Sequence, residues 1–357
     1  MCAKWWLVTL GVGIRRGSRY NLWSYHTAEE DHGPAAAILP QPALSGKGQV
    51  GEGNLSSHGR KRPRYHWKVC GQTFRARRGT PFYRRRSAET LMTQVLTVVA
   101  HGCPIAAIAA AFGLHARTVR KWIAAAGQQA QAIPEQLVEQ PRDLQQVQAD
   151  EIRVKTQRGI WWMAMARMVS TRWWLGGTVS PQRDLPLILR LVQLIGRCAI
   201  VAPLLLITDG LASYPPAFAR VFRTKQRAGR RGAPHLIPWP QLNVVQVVKA
   251  GRGTVGLVRR LICGSAPAVL RVLRATPGCS VVNTASIERL HGTFRARLAC
   301  LARRTRGLAR PQRTLEHGMS LVGTIYNFCT FHGSLATTDR VARTSQGTTF
   351  WRRMARV

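Results

Sequence analysis

The clearest hydrophobic pattern in the chain runs from Gln145 to Tyr214. In QQVQADEIRVKT (Gln145–Thr156), residues alternate with period two, the period of a strand with one covered face. Asp150, Ile152 and Val154 fall on one side, and Glu151, Arg153 and Lys155 on the other. After the turn residues Gln157, Arg158 and Gly159, Ile160–Val169 and Trp173–Val179 read as two further strands of a meander. Ser180–Arg197 changes period: Leu185, Ile188, Leu189, Val192 and Ile195 recur at helical spacing. LLLITDGLASY (Leu204–Tyr214) then reads as a buried strand that delivers Asp209 at its C-terminal end and turns at Gly210. The predicted class is α/β, a mixed sheet flanked by helices.

Elsewhere the pattern is helical or irregular. Ser87 is placed to cap a helix over Ala88–His101, followed by a short helix over Pro104–Phe112, a turn at Gly113-Leu114 and a third helix over His115–Ala126. Ala109, Gly113 and Val119 match the spacing of a helix-turn-helix over 87–127, with Arg117, Arg120 and Lys121 on the face that would meet DNA. A plain basic helical bundle accounts for the same pattern. Residues 128–144, with Pro134 and Pro141, read as a linker, and 145–335 as the main domain. Past Asp209 the expectations are a helix over Pro215–Arg223, a basic loop over Thr224–Pro234, a strand over Leu242–Val248, and helical patches over Gly253–Leu261 and Ala266–Leu273. Residues 1–48 lack periodicity and are expected to be poorly ordered, and 336–357 form a basic tail.

Charge narrows the partners. The 357 residues carry 53 Lys and Arg against 15 Asp and Glu, a formal net charge of +38, and a field of that size seeks a polyanion such as nucleic acid. The apolar start, Trp5–Ile14, is too short and glycine-broken for a membrane span. Eight scattered Cys show no paired spacing, which argues against a disulfide framework and for a reducing, cytoplasmic compartment. Around YHWKVCGQTF (Tyr65–Phe74) the basic segment 49–86 looks like the second knuckle of a zinc ribbon, but Trp67 stands where the first Cys of a CxxC pair belongs. Cys70 is at most a residual ligand position, and zinc is not expected.

With so few acids, those at element ends stand out. Asp150 is the core-facing member of its dipeptide, while Glu151 is expected in water beside its cations. Glu288, in NTASIERLHGTFRARLACLARRTR, is the single acid between Asp209 and Glu316 and lies among Arg289, Arg295 and Arg297. A helix-surface salt bridge would explain it equally well.

QADEIRVK, LLLITDGLASY and NTASIERLHGTFRARLACLARRTR, with YNFCTFHGSL (Tyr326–Leu335), resemble in order the acidic blocks and closing segment of bacterial insertion-sequence transposases of the DDE type. The resemblance spans roughly residues 50–340. It implies an RNase H-like catalytic core preceded by a degenerate zinc ribbon and a helix-turn-helix. It also implies an Asp150–Asp209–Glu288 triad holding two magnesium or manganese ions, hard cations suited to oxygen ligands. The implied activity is cleavage and joining of DNA strands in a nucleoid-associated homo-oligomer, with Arg289, Arg295 and Arg297 on the DNA backbone and neither a membrane nor a small molecule as partner. Two alternatives fit the same residues: a decayed copy that binds DNA without cutting it, and an RNase H-like nuclease unconnected with transposition.

Overall fold

A computed structural model describes residues 55–58, 64–68, 71, 73–75, 80–133, 138–226, 235–249, 256–277, 281–302, 308–309, 312–330 and 332. The expectations for residues 1–48, for Cys70 and for the tail 336–357 lie outside these residues. The described residues divide into two compact units, one formed by those within 55–98, 108–129 and 328–332, the other by those within 99–107 and 130–327.

In the first unit, β1 (Leu55–His58), β2 (Arg64–Trp67) and β3 (Thr73–Arg75) form an antiparallel sheet in that order. Tyr65 and Phe74 face each other across β2 and β3 with ring centroids 5.8 Å apart, both buried. Then come α1 (Glu89–Ala100), α2 (Ile105–Ala111) and α3 (Ala116–Ile133). Met92, Val95 and Leu96 on α1, Ile108 on α2, and Val119, Trp122 and Ala126 on α3 are buried at helical spacing. Gly113 takes φ +60° between α2 and α3, a left-handed turn that suits glycine, and Leu114 N–H closes it on Ala109 C=O. Arg117, Arg120 and Lys121 are exposed on α3, as the sequence pattern predicts. The predicted end of the third helix at Ala126 is too early. Gln128–Ile133 (QQAQAI) contains only residues that a helix tolerates, so α3 continues until Pro134.

The second unit is built on a six-stranded mixed sheet. Its strands are β4 (Gln146–Thr156), β5 (Gly159–Met168), β6 (Trp174–Ser180), β7 (Leu204–Asp209), β10 (Leu242–Lys249) and β11 (Leu257–Cys263), in the spatial order β11-β10-β7-β4-β5-β6. β4, β5 and β6 are the predicted meander. β7 returns parallel beside β4, in the register Ala149↔Thr208, and β10 lies parallel on the far side of β7. The excursion between β7 and β10 holds a small hairpin, β8 (Arg223–Gln226) with β9 (His235–Pro238), whose strands flank and enter the expected loop Thr224–Pro234.

Helices cover both faces. The helix α4 (Leu185–Cys198) starts at Asp184, whose carboxylate accepts from Leu187 N–H (3.1 Å), and buries Leu187, Ile188, Leu191, Val192, Leu194, Ile195 and Cys198. It packs on β5 and β6 and beside α5 (Tyr214–Val221). On the opposite face lie α6 (Ala266–Ala275), α7 (Ala285–Arg297) and α8 (Gln312–Phe328). Ile287, Leu290 and Phe294 of α7 join Leu315, Met319 and Val322 of α8 against Ile152, Val154, Met163 and Met165. Gly323 lets α8 lie flat on the Trp174 ring, since a Cβ there would come within 2.2 Å of two ring carbons. Asn327 closes the β6 edge: its side chain accepts from Trp174 N–H and donates to Trp174 C=O, both at 2.8 Å.

One predicted helix is a strand. Val258, Leu261 and Ile262 satisfy helical spacing within Gly253–Leu261 and beyond it, yet Leu257–Cys263 pairs antiparallel with β10 as the sheet's edge. A short apolar run fits either period, and the partner strand decides between them.

Candidate metal centre

The parallel pairing of β7 beside β4 brings two predicted acids together. Continuing the register Ala149↔Thr208 by one residue sets Asp150 beside Asp209 on the same face. Asp150 Oδ1 accepts from Glu151 N–H (2.8 Å), and Asp209 Oδ1 accepts from Leu211 N–H (3.1 Å), so local backbone orients each carboxylate. Among the described residues, one group offers three candidate ligand atoms within 4.8 Å of one another: Asp150, Glu151 and Asp209.

Glu151 corrects an expectation. It is not in water beside Arg153 and Lys155; its side chain is 0% exposed. Alternation does turn it away from Asp150, but α5 covers that face at the Glu151 end, while Arg153 and Lys155 further along β4 stay exposed. Tyr214 Oη–H donates to Glu151 Oε1 (2.5 Å), and Arg183 donates from Nε (2.9 Å) and Nη2 (2.7 Å) to Oε2. The same Nη2 donates to Asp209 Oδ2 (2.7 Å), and the guanidinium lies over the Trp162 ring, 4.9 Å from its centroid. Trp173 and Trp174 are buried, while Trp161 and Trp162 are partly exposed.

Glu288, the predicted third ligand, stands outside this group. It is exposed in the first turn of α7, where its Oε1 accepts from Thr284 Oγ1 (2.8 Å). Its helix is nonetheless tied to β4 and β5. Gln148 donates to Asn283 C=O (2.7 Å) and accepts from Ile287 N–H (2.9 Å), and Arg167 donates to Ser286 C=O (2.5 Å). His291, three residues past Glu288 and so on a shared side of the helix, brings Nδ1 to 3.6 Å from Asp150 Oδ2. Arg289 is exposed, and Arg295 and Arg297 are partly exposed, along α7.

Electrostatics single out Asp150. Burial, then the neighbouring charges of Glu151 and Asp209, push its carboxyl up to about 7. Glu151 is also raised by burial and by Asp209, against the opposing bonds from Tyr214 and Arg183. Burial and the nearby Glu151 push the Tyr214 hydroxyl well up, so it stays a donor. Burial, and then Arg295, lower His291 to about 3. It is therefore neutral at physiological pH, and its approach to Asp150 is a polar contact rather than an ion pair. Its buried Nε2 has no hydrogen-bond partner among the described residues.

The donor set is all oxygen and carries more negative charge than one guanidinium balances, so it fits a hard divalent cation. A ligating carboxyl must be deprotonated, and Asp150 ionises only as pH rises through about 7. Calorimetric Mn²⁺ affinity is accordingly expected to rise by up to about tenfold per pH unit below that value and to flatten above it. An affinity that does not change between pH 5.5 and 7 would show that no ligating carboxyl titrates in that range.

Of the predicted carboxylates, Asp150 and Asp209 come together in the structure, and the sequence carries no signal for the neighbouring Arg183 and Tyr214 or for the burial of Glu151. Arg183 lies in a short connection in a chain full of arginines, and no spacing signal distinguishes it. No protein-family profile matches this chain, and no curated protein matches it at a significant level. Among the described residues no helix is long and apolar enough to cross a membrane.

Proposed function

We propose that the chain is a DNA transposase of the DDE type with an RNase H-like core, which binds the ends of its own element and cuts and joins DNA strands with divalent metal. The observation that supports this best is the Asp150–Asp209 pair on adjacent parallel strands at the centre of a mixed sheet that opens with an antiparallel meander. Asp150 and Asp209 would hold the metal, with Glu288 as the third carboxylate on the helix whose His291 already reaches Asp150. When bound, magnesium or manganese supplies activation of a water or a DNA 3′-hydroxyl and charge stabilisation at the departing oxygen.

The chain's own residues do the rest. Arg289, Arg295 and Arg297 line the same helix as Glu288 and suit the phosphate backbone. The bond from Leu211 N–H orients Asp209, and the bond from Glu151 N–H orients Asp150. The exposed row Arg117, Arg120 and Lys121 on α3 suits a DNA groove, within a chain whose net charge of +38 draws it to DNA of any sequence.

The test is strand transfer by the purified full chain, using the DNA that flanks its own gene as candidate ends. Metal-dependent joining of those ends, and not of unrelated DNA, is the expected result. End-specific binding without any cutting would point to a DNA-binding protein, and cutting without end preference to a nuclease. A second expectation concerns recognition. Arg120→Ala should weaken binding to element ends by roughly 1–3 kcal/mol while leaving salt-sensitive binding to random DNA nearly intact. Equal losses on both DNAs in a fluorescence titration would remove α3 from the recognition role.

A further inference from the structure

We propose that Arg183 is the resident counter-ion of the carboxylate cluster, anchored by Glu151, and that a divalent cation binds by taking Asp209 away from it. The proposal rests on the cluster being a metal site.

Three carboxylates meet here, and among the described residues one guanidinium bonds to two of them. Arg183 donates to Glu151 and to Asp209 and leaves Asp150 without a bond from it. Its two attachments are unequal. Glu151 takes two N–H groups, has a side chain 0% exposed, and spends its other oxygen on Tyr214. Asp209 takes a single bond, shared from the same Nη2, and its side chain is 32% exposed. Breaking the Glu151 side would strand a buried carboxylate, which is costly, whereas the Asp209 side opens towards solvent. A divalent ion also brings two charges to carboxylates that now share part of one, and it can serve Asp150 together with Asp209. The guanidinium keeps its bed on the Trp162 ring and its grip on Glu151 while it releases Asp209. Glu151 on this account is not a metal ligand but the post that holds a movable cation beside the metal site.

Mn²⁺ titration calorimetry on the full-length protein, without DNA, tests the proposal. Arg183→Gln should bind Mn²⁺ up to about fivefold more tightly than wild type, since a partly exposed pair such as Arg183–Asp209 contributes up to about 1 kcal/mol. Asp209→Asn should remove binding in either background. Because Arg183→Gln leaves Glu151 buried and unpaired, Glu151→Gln and the double variant Glu151→Gln/Arg183→Gln form a second comparison, and the double variant should bind more tightly than the single. If wild type binds and Asp209→Asn does not, yet loss of Arg183 leaves affinity equal or weaker in both comparisons, the counter-ion role is overturned and the metal site stands. If neither wild type nor any Arg183 variant takes up Mn²⁺, the metal site itself falls and the proposal with it.

Discussion

Asp209→Asn is expected to abolish metal-dependent strand transfer while leaving the fold intact. The substitution keeps the size and shape of the side chain and one oxygen for Leu211 N–H, but it removes the charge that faces Asp150. Under the proposed function Asp209 is a ligand of a catalytic metal, whose charge stabilisation is worth several kcal/mol, so losing that charge would cost at least about a thousandfold in rate. The fold loses little. The Arg183–Asp209 pair is about one-third exposed on both sides, and pairs of that kind contribute at most about 1 kcal/mol. The measurement is strand transfer over a range of magnesium concentrations, with thermal melting followed in parallel. Equal rates for wild type and Asp209→Asn at every magnesium concentration would end the catalytic interpretation, and a collapsed melting curve would show that Asp209 is structural.

The second large effect is on stability. Asn327→Leu should destabilise the protein by roughly 2–6 kcal/mol, because two buried backbone groups lose their partners at about 1–3 kcal/mol each. Trp174 is the first residue of an edge strand, and its N–H and C=O point away from β5. The amide of Asn327 meets both, standing in for a neighbouring strand, and is 4% exposed. Leu fills a similar volume but offers neither group. A loss of this size consumes a large share of the 5–15 kcal/mol typical of a folded domain. Urea denaturation provides the readout. Asn327→Asp, which keeps the acceptor for Trp174 N–H and loses the donor, should fall between Asn327→Leu and wild type, and a midpoint shift of Asn327→Leu within error of zero would show that the edge needs no closure.

Much of the central sheet is legible in the sequence because its strands carry clean signals. β4 alternates, β7 is a continuous apolar run ended by Asp209 and Gly210, and α4 places apolar residues at helical spacing after the capping Asp184. The adjacency of Asp150 and Asp209 follows once β7 returns parallel to β4. What escapes is whatever depends on the covering element. Glu151 is charged and neighbours exposed cations in the alternation, so its burial cannot be foreseen without knowing that α5 delivers Tyr214 onto it. Leu257–Cys263 has no private signal for a strand until β10 offers a ladder. The expected helix end at Ala126 fails for a simpler reason, since Gly127 and the glutamines after it break nothing and the first true breaker in the sequence is Pro134. Glu288 is legible as an isolated acid among arginines, but the direction of an exposed side chain in a first helical turn is set by local bonding, here to Thr284.

Asp150 and Glu151 are consecutive in the chain and face opposite sides of one strand. In a mutational scan scored only by whether DNA moves, substitutions at either codon would register as the same phenotype. The causes differ. Under the proposed function, loss at 150 would leave an intact protein without strand transfer, while loss at 151 would act through Arg183 and Tyr214 on the packing of α5. Protein abundance measured alongside function would separate the two columns of such a scan, and exchanging the dipeptide to Glu-Asp would damage both at once.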